Sequence, residues 1–95
     1  MELRYSDRAK RDLLEQSLRW YRFHPQRGDA FDDELKNVLE LLAQQPRMGR
    51  TTTRYKGARV LVLAETEYLL FYRVHRKHIA VLALLPARAQ REPLR

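Results

Sequence analysis

The chain has 95 residues, no cysteine and a formal net charge of +7; that length holds one core rather than two, and the absent thiols exclude disulfides, thiolate metal sites and cysteine nucleophiles. A hydrophobic fraction of 44% suits a folded globule, while no apolar run approaches the ~20 residues that span a bilayer. Met1 to Asp7 lacks the apolar stretch of a secretory signal, so the expectation is one cytoplasmic domain over residues 1–95, with no membrane partner.

Glu2-Leu3-Arg4-Tyr5 alternates polar and apolar residues and reads as a short edge strand. Ser6 stands where an N-cap belongs and Asp7 at the positive end of a helix dipole, so a helix should run to about Phe23. Its apolar positions are Ala9, Leu13, Leu14, Leu18, Trp20 and Tyr21; Arg8, Arg11, Asp12, Glu15, Arg19 and Arg22 fall on the solvated side. His24-Pro25 breaks the pattern, and Pro25 suits the first turn of a second helix ending at Gln45 before Pro46. Phe31, Leu35, Val38, Leu39 and Leu42 form its apolar stripe. So short a joint makes the two helices an antiparallel hairpin.

Residues 46–57 read as a loop by composition, with four cations and a glycine near each end. Arg59 to Ala64 reads as a strand and Glu65-Thr66 as a turn. Two apolar runs follow, Tyr68 to Val74 and Ile79 to Leu85, separated by His75-Arg76-Lys77-His78. They are apolar at nearly every position, which fits a sheet covered at least partly on both faces, or one face covered and the other awaiting a partner. Pro86 should end the last strand, and residues 87–95 read as a basic, partly disordered tail. The order β-α-α-β-β-β predicts an α+β two-layer domain, an antiparallel sheet packed against a helical hairpin.

The charge is segregated. Residues 1–46 carry eight Lys/Arg and nine Asp/Glu, and residues 47–95 carry eleven and three. Such asymmetry points to an anionic partner for the second half, nucleic acid or an acidic protein. His24, His75 and His78 have no carboxylate cluster beside them, and Ser6 and Ser17 sit in helical context, so neither a metal site nor a serine nucleophile is predicted. What remains is basic and aromatic: Arg50, Lys56, Arg59, Arg73, His75, His78 and Arg88 have the chemistry of a metal-free ribonuclease, or are a solvated basic surface. Arg73 follows Phe71 at strand period, so the two should share a face.

The helix ending Phe31-Asp-Asp-Glu-Leu-Lys-Asn-Val-Leu-Glu-Leu-Leu-Ala-Gln-Gln-Pro-Arg-Met-Gly-Arg50, the strand Tyr68-Leu-Leu-Phe-Tyr-Arg73 followed by Ile79-Ala-Val-Leu82, and the opening Tyr5-Ser-Asp-Arg-Ala-Lys-Arg-Asp-Leu13 together resemble the ParE branch of the RelE/ParE toxins of type II toxin–antitoxin modules. The resemblance covers nearly the whole chain. It implies the RelE/ParE-like fold, no cofactor and no catalysis. It also implies a cognate antitoxin that neutralises by direct binding, and DNA gyrase as the target, trapped on cleaved DNA so that replication stops. Sequence-specific nucleic-acid binding by the toxin alone is not expected. Under it, Arg59, Arg73, Arg76, Lys77 and Arg88 are the target-binding candidates, and Trp20, Tyr21 and Phe23 the aromatic anchors for the antitoxin. One departure stands out. Many ParE-like chains place a His and a basic pair just after the last strand, where this chain has Pro86 and, of the pair, only Arg88. The competing readings are a RelE-like endoribonuclease cutting mRNA on the ribosome, drawing on Lys56, Tyr72, His75 and His78, and a non-toxic remnant that only binds its antitoxin.

Overall fold

Ser6 begins the first helix as its chemistry requires: its Oγ accepts the Ala9 N–H at 3.0 Å. In the computed structural model, which describes residues 1–90, that helix (α1, Asp7–Phe23) follows a strand (β1, Glu2–Tyr5) and leads through a single 3₁₀ turn (Pro25–Arg27) to a second helix (α2, Ala30–Gln44). The strands β2 (Arg50–Thr51), β3 (Arg59–Leu63), β4 (Tyr68–Val74) and β5 (His78–Pro86) come next, then a helical turn (α3, Ala87–Gln90). The second helix starts later than Pro25 because Gly28 takes φ +47°, in the left-handed region, and separates the 3₁₀ turn from the helix proper. Residues 87–90, which open the tail expected to be partly disordered, are helical; the remainder of that tail, residues 91–95, lies outside the described residues.

The five strands form one sheet in the order β1-β5-β4-β3-β2. The meander β3-β4-β5 is antiparallel as expected, but β1 pairs parallel with β5, from Glu2 opposite His78 to Tyr5 opposite Val81, so the sheet is mixed. Parallel pairing lets the end of β1 deliver the chain directly onto α1, which packs on β5. The loop read from composition contains the short β2, pairing Arg50 with Val60 and Thr51 with Arg59. Gly49 precedes it because nothing larger fits: a Cβ there would lie 2.6 Å from the Tyr72 hydroxyl and 2.8 Å from the Val60 carbonyl oxygen.

A bulge explains why the last strand shows no clean alternation. Phe71 pairs with Ala83 but Tyr72 with Val81, leaving Leu82 as the extra residue. Before it, Ile79 and Val81 face the helices; after it, Leu84 does, and Ala83 and Leu85 turn to the other face. The helix-side core gathers Leu63, Tyr68, Leu70, Tyr72, Ile79, Val81 and Leu84 with Ala9, Trp20, Phe31 and Leu42. The opposite face holds a smaller core, Val60, Leu69, Phe71, Ala83 and Leu85, with Tyr55 and Ala87 packed against it. Both faces are covered, which is why these strands are apolar throughout.

β1 stops opposite Val81, so the outer edge of β5 beyond that point has no strand beside it. Side chains of α1 and its cap take over. The Ser6 N–H donates to the Val81 carbonyl at 3.1 Å and the Ser6 hydroxyl to the Leu82 carbonyl at 3.0 Å. The Leu84 N–H then donates to Asp12 Oδ2 at 3.0 Å. Asp12, expected on the solvated side of the helix, is therefore only 9% exposed. Pro86 ends the last strand, as expected, and is itself the final residue of β5. It pairs with Tyr68, and the ladder to β4 continues through the Ala87 N–H and the Glu67 carbonyl at 2.9 Å. Its missing donor faces the unpaired outer side, where a proline costs nothing to the ladder.

Candidate functional site

The five cations expected to form one target-binding surface divide between two ends of the sheet and between two kinds of work. Arg59, on β3, donates to the Gly49 carbonyl at 2.7 Å and the Arg47 carbonyl at 3.4 Å. Arg73, on β4, donates through Nε to the Lys56 carbonyl at 3.0 Å. These two guanidiniums hold the 46–57 loop onto the sheet, satisfying carbonyls that have no strand partner. Arg73 and Phe71 share a face as expected, and that face is the one Tyr55 covers, its ring edge-on to Phe71 at 5.2 Å. Arg54 lies 5.8 Å over the Phe71 ring. Arg76 and Lys77 are exposed at the β4–β5 turn, beside the stacked rings of His75 and His78, whose centroids are 4.7 Å apart. Arg88 lies at the other end of the same hairpin, 3.6 Å from Glu67. The seven residues of β4 put about 20 Å between those ends. Arg59, Arg73, Arg76 and Lys77 are thus neighbours at one end, and Arg88 is not with them.

Of the residues that a metal-free nuclease would draw on, Tyr72 is withdrawn from the surface. Tyr72 is fully buried on the helix side, its hydroxyl accepting the Gly49 N–H at 2.8 Å. Burial raises its pKa above the ordinary phenol value, with the Gly49 N–H and the Arg59 charge opposing in part. Lys56 belongs to the loop on the opposite face, and the two late histidines are at the turn.

The three aromatic anchors also separate. Trp20 is 3% exposed and belongs to the core, its ring tilted against His24 at 4.1 Å and stacked with Phe31 at 6.3 Å. It sits on the same helix face as Ala9 and Leu13, which is why it turns inward, and it has no surface left to anchor a partner. Tyr21 is partly exposed, and its hydroxyl donates to Asp29 and, at 3.2 Å, to Asp32. Those bonds, the one to Asp29 foremost, raise its pKa well above that of a free phenol. Phe23 is 59% exposed, with Arg19 and Arg22 over its ring at 5.3 and 5.6 Å.

Two residues not singled out as anchors extend this surface. Leu14 and Leu18 are both 63% exposed; with Tyr21 they stand at i, i+4 and i+7, a second apolar stripe on α1 turned away from the sheet. The signal was present in the sequence: Ala9, Leu13 and Trp20 fall within one narrow sector of the helix, and Leu14, Leu18 and Tyr21 within another. Beside the hairpin runs an open apolar groove of about 460 Å³, walled by Leu35, Leu39 and Ala43 of α2 and floored by Leu3 and Tyr5 of β1. Asp32, Lys36 and Glu40 rim it.

A family model described as the ParE toxin of the type II toxin–antitoxin system parDE matches residues 3–91. No curated protein matches the sequence. Among solved structures, the chain is similar to a protein of the chromosomal ParDE toxin–antitoxin system of P. aeruginosa, at 20% identity and a TM-score of 0.75, covering 90% of this chain and 95% of the other. It is similar to YafQ of E. coli strain BL21(DE3) at 17% identity and a TM-score of 0.68, covering 93% and 94%. A chain of the E. coli DinJ–YafQ toxin–antitoxin complex matches at 17% identity and a TM-score of 0.67, covering 94% of each. These likenesses establish the shared two-layer fold.

Proposed function

The chain belongs to the ParE toxin family of type II toxin–antitoxin systems, and on that premise we propose that residues 1–95 are one toxin domain that acts by binding rather than by catalysis. DNA gyrase is its target, and replication the process it blocks. The observation that carries this reading is the state of the groups a nuclease would need: the Tyr72 hydroxyl is sealed beneath Gly49, and Arg59 and Arg73 are engaged by loop carbonyls. Of the five candidate cations, Arg76 and Lys77 stand exposed at the turn to meet an acidic partner, with Arg88 at the far end of the hairpin.

The antitoxin binds the other side of the molecule. A segment that folds on binding must offset its ordering entropy with apolar contact. The groove between α2 and β1 and the Leu14–Leu18–Tyr21 stripe supply that contact, and an amphipathic helix with apolar residues at i, i+3, i+4 and i+7 fits it. Phe23, under two arginines, is an aromatic anchor for its end. The DinJ–YafQ and ParDE systems pair a toxin with an antitoxin, and the same pairing is proposed here.

The test is induction of the chain in a bacterial host, read in parallel for the DNA-damage response and for mRNA cleavage. Filamentation with a damage response and intact mRNA is expected, and Arg76→Glu with Lys77→Glu should abolish it while the domain stays folded. Rapid translation arrest with cleaved mRNA would instead establish the RelE-like endoribonuclease reading. The observation that favours this second reading is the stacked His75–His78 pair beside two cations.

A further inference from the structure

At the end of the fold away from the β4–β5 turn, the last turn of α1, the 3₁₀ turn, the β3–β4 turn and the start of α3 enclose a cleft of about 460 Å³. Three guanidinium side chains reach it from three separate elements, Arg19 from α1, Arg27 from the 3₁₀ turn and Arg88 from α3, and His24 stands among them. Trp20 and Tyr68 lie beneath it, both buried. Arg27 is oriented from two directions, lying 4.7 Å over the Trp20 ring and donating to the Glu65 carbonyl at 3.5 Å. Arg19 is close enough to Tyr68 that its charge partly offsets the effect of burial on that phenol.

Glu67 is the one carboxylate among the lining residues, and its contact with Arg88 is exposed at both side chains, a pairing that water screens strongly. Glu34 lies behind the turn but is fully engaged. It accepts the Glu65 N–H at 2.8 Å, the Thr66 N–H at 2.9 Å and the Thr66 hydroxyl at 2.6 Å. The cleft therefore offers a surplus of planar cationic donors.

We propose that this cleft binds the phosphate of a nucleotide, either a free nucleotide or one within a single strand, with the phosphate held among Arg19, Arg27 and Arg88. Guanidiniums match the geometry of phosphate oxygens with paired donors, and arginines from separate elements grip one group from several sides. The volume falls within the roughly 300–1,000 Å³ range of small-molecule sites, far more than an isolated inorganic ion fills. Three of the residues, Arg19, His24 and Arg27, come from the half of the chain whose charge is balanced, so the site is a product of folding and not of the basic second half. Of the cations proposed to meet the target, Arg88 also lines this cleft, whereas Arg76 and Lys77 take no part in it.

Trp20 is the only tryptophan, so intrinsic fluorescence of the full chain reads this cleft directly. The probes are thymidine 5′-monophosphate, 5′-phosphorylated tetrathymidylate and unphosphorylated thymidine. Saturable changes in emission are expected with both phosphorylated probes and none with thymidine. Arg19→Gln and Arg27→Gln should each weaken binding about tenfold or more, with unchanged circular dichroism, and Glu67→Gln should tighten it. Equal affinity for the two phosphorylated probes identifies a free nucleotide as the ligand. A tighter tetranucleotide with a steeper salt dependence identifies a strand. No saturable change at millimolar probe, or undiminished affinity in Arg19→Gln, overturns the proposal. Arg19 is exposed, so this variant keeps its fold even if Arg27→Gln does not.

Discussion

Replacing Asp12 with alanine removes the acceptor that closes the outer edge of β5. The Leu84 N–H it leaves behind is buried, 3.0 Å from a carboxylate oxygen in the native protein, and no strand lies beside it because β1 has already ended opposite Val81. Hydrogen bonds to charged groups contribute about 1.5–3 kcal/mol, and an orphaned buried donor costs about the same. The 3.5 Å pair with Arg8 adds little, since nearly half of the Arg8 side chain is exposed. The expected loss is about 2–3 kcal/mol, a large share of the roughly 5–15 kcal/mol that holds a small domain folded. At about 4–8 °C per kcal/mol for a domain this size, the melting temperature should fall by ~8–24 °C. Urea denaturation followed by circular dichroism measures the change directly, with Asp12→Asn, which keeps an acceptor oxygen, expected to recover part of it. Arg8→Ala, which breaks only the ion pair, should stay within about 1 kcal/mol of the native protein. An Asp12→Ala protein as stable as the native one, or an Arg8→Ala protein as unstable as Asp12→Ala, would refute the ladder role.

Gly49→Ala should destabilise by ~1–3 kcal/mol, because the added methyl meets the buried Tyr72 hydroxyl and the Val60 carbonyl rather than a yielding side-chain tip; chemical denaturation of that variant gives the value. Tyr72 also sets an alkaline limit. Burial raises its folded-state pKa above the ordinary value of 10.0, so its contribution is complete below pH 10 and is lost as the pH climbs from there toward the folded-state pKa. Unfolding free energies measured from pH 9 to 12 should fall less steeply in Tyr72→Phe than in the native chain, and parallel curves would remove Tyr72 from the alkaline transition.

Much of the architecture is legible in the residues because periodicity reports burial. Phe31, Leu35, Val38, Leu39 and Leu42 mark one helix face, and the continuous apolar runs of β4 and β5 mark a sheet covered twice. The parts that are not legible depend on contacts between distant residues. Asp12 looks like any surface acid until the end of β1 leaves Leu84 without a partner. Arg59 and Arg73 look like free cations until the loop carbonyls come under them. Trp20 and Tyr21 are adjacent in sequence, yet one is core and the other rim, because a helix turns about 100° between them. Arg19, His24, Arg27 and Arg88 meet only when the ends of α1 and β5 are side by side, and no spacing rule joins residue 27 to residue 88. The sheet edge and the cleft are therefore products of topology, whereas the helices and central strands are products of local pattern.

The parallel pairing of β1 with β5 makes this protein a clock as well as a fold. The second residue of the chain waits for the seventy-eighth, its partner in the register, so the first strand made is completed by the last. Contacts of such long sequence separation form late, since loop closure must precede any return from pairing. While the chain is still emerging from a ribosome, β1 has nothing to join, Ser6 and Asp12 have no carbonyl or amide to meet, and α1 has no sheet to cover. The sheet and the edge that Ser6 and Asp12 close are therefore complete only once residues 78–84 have been made.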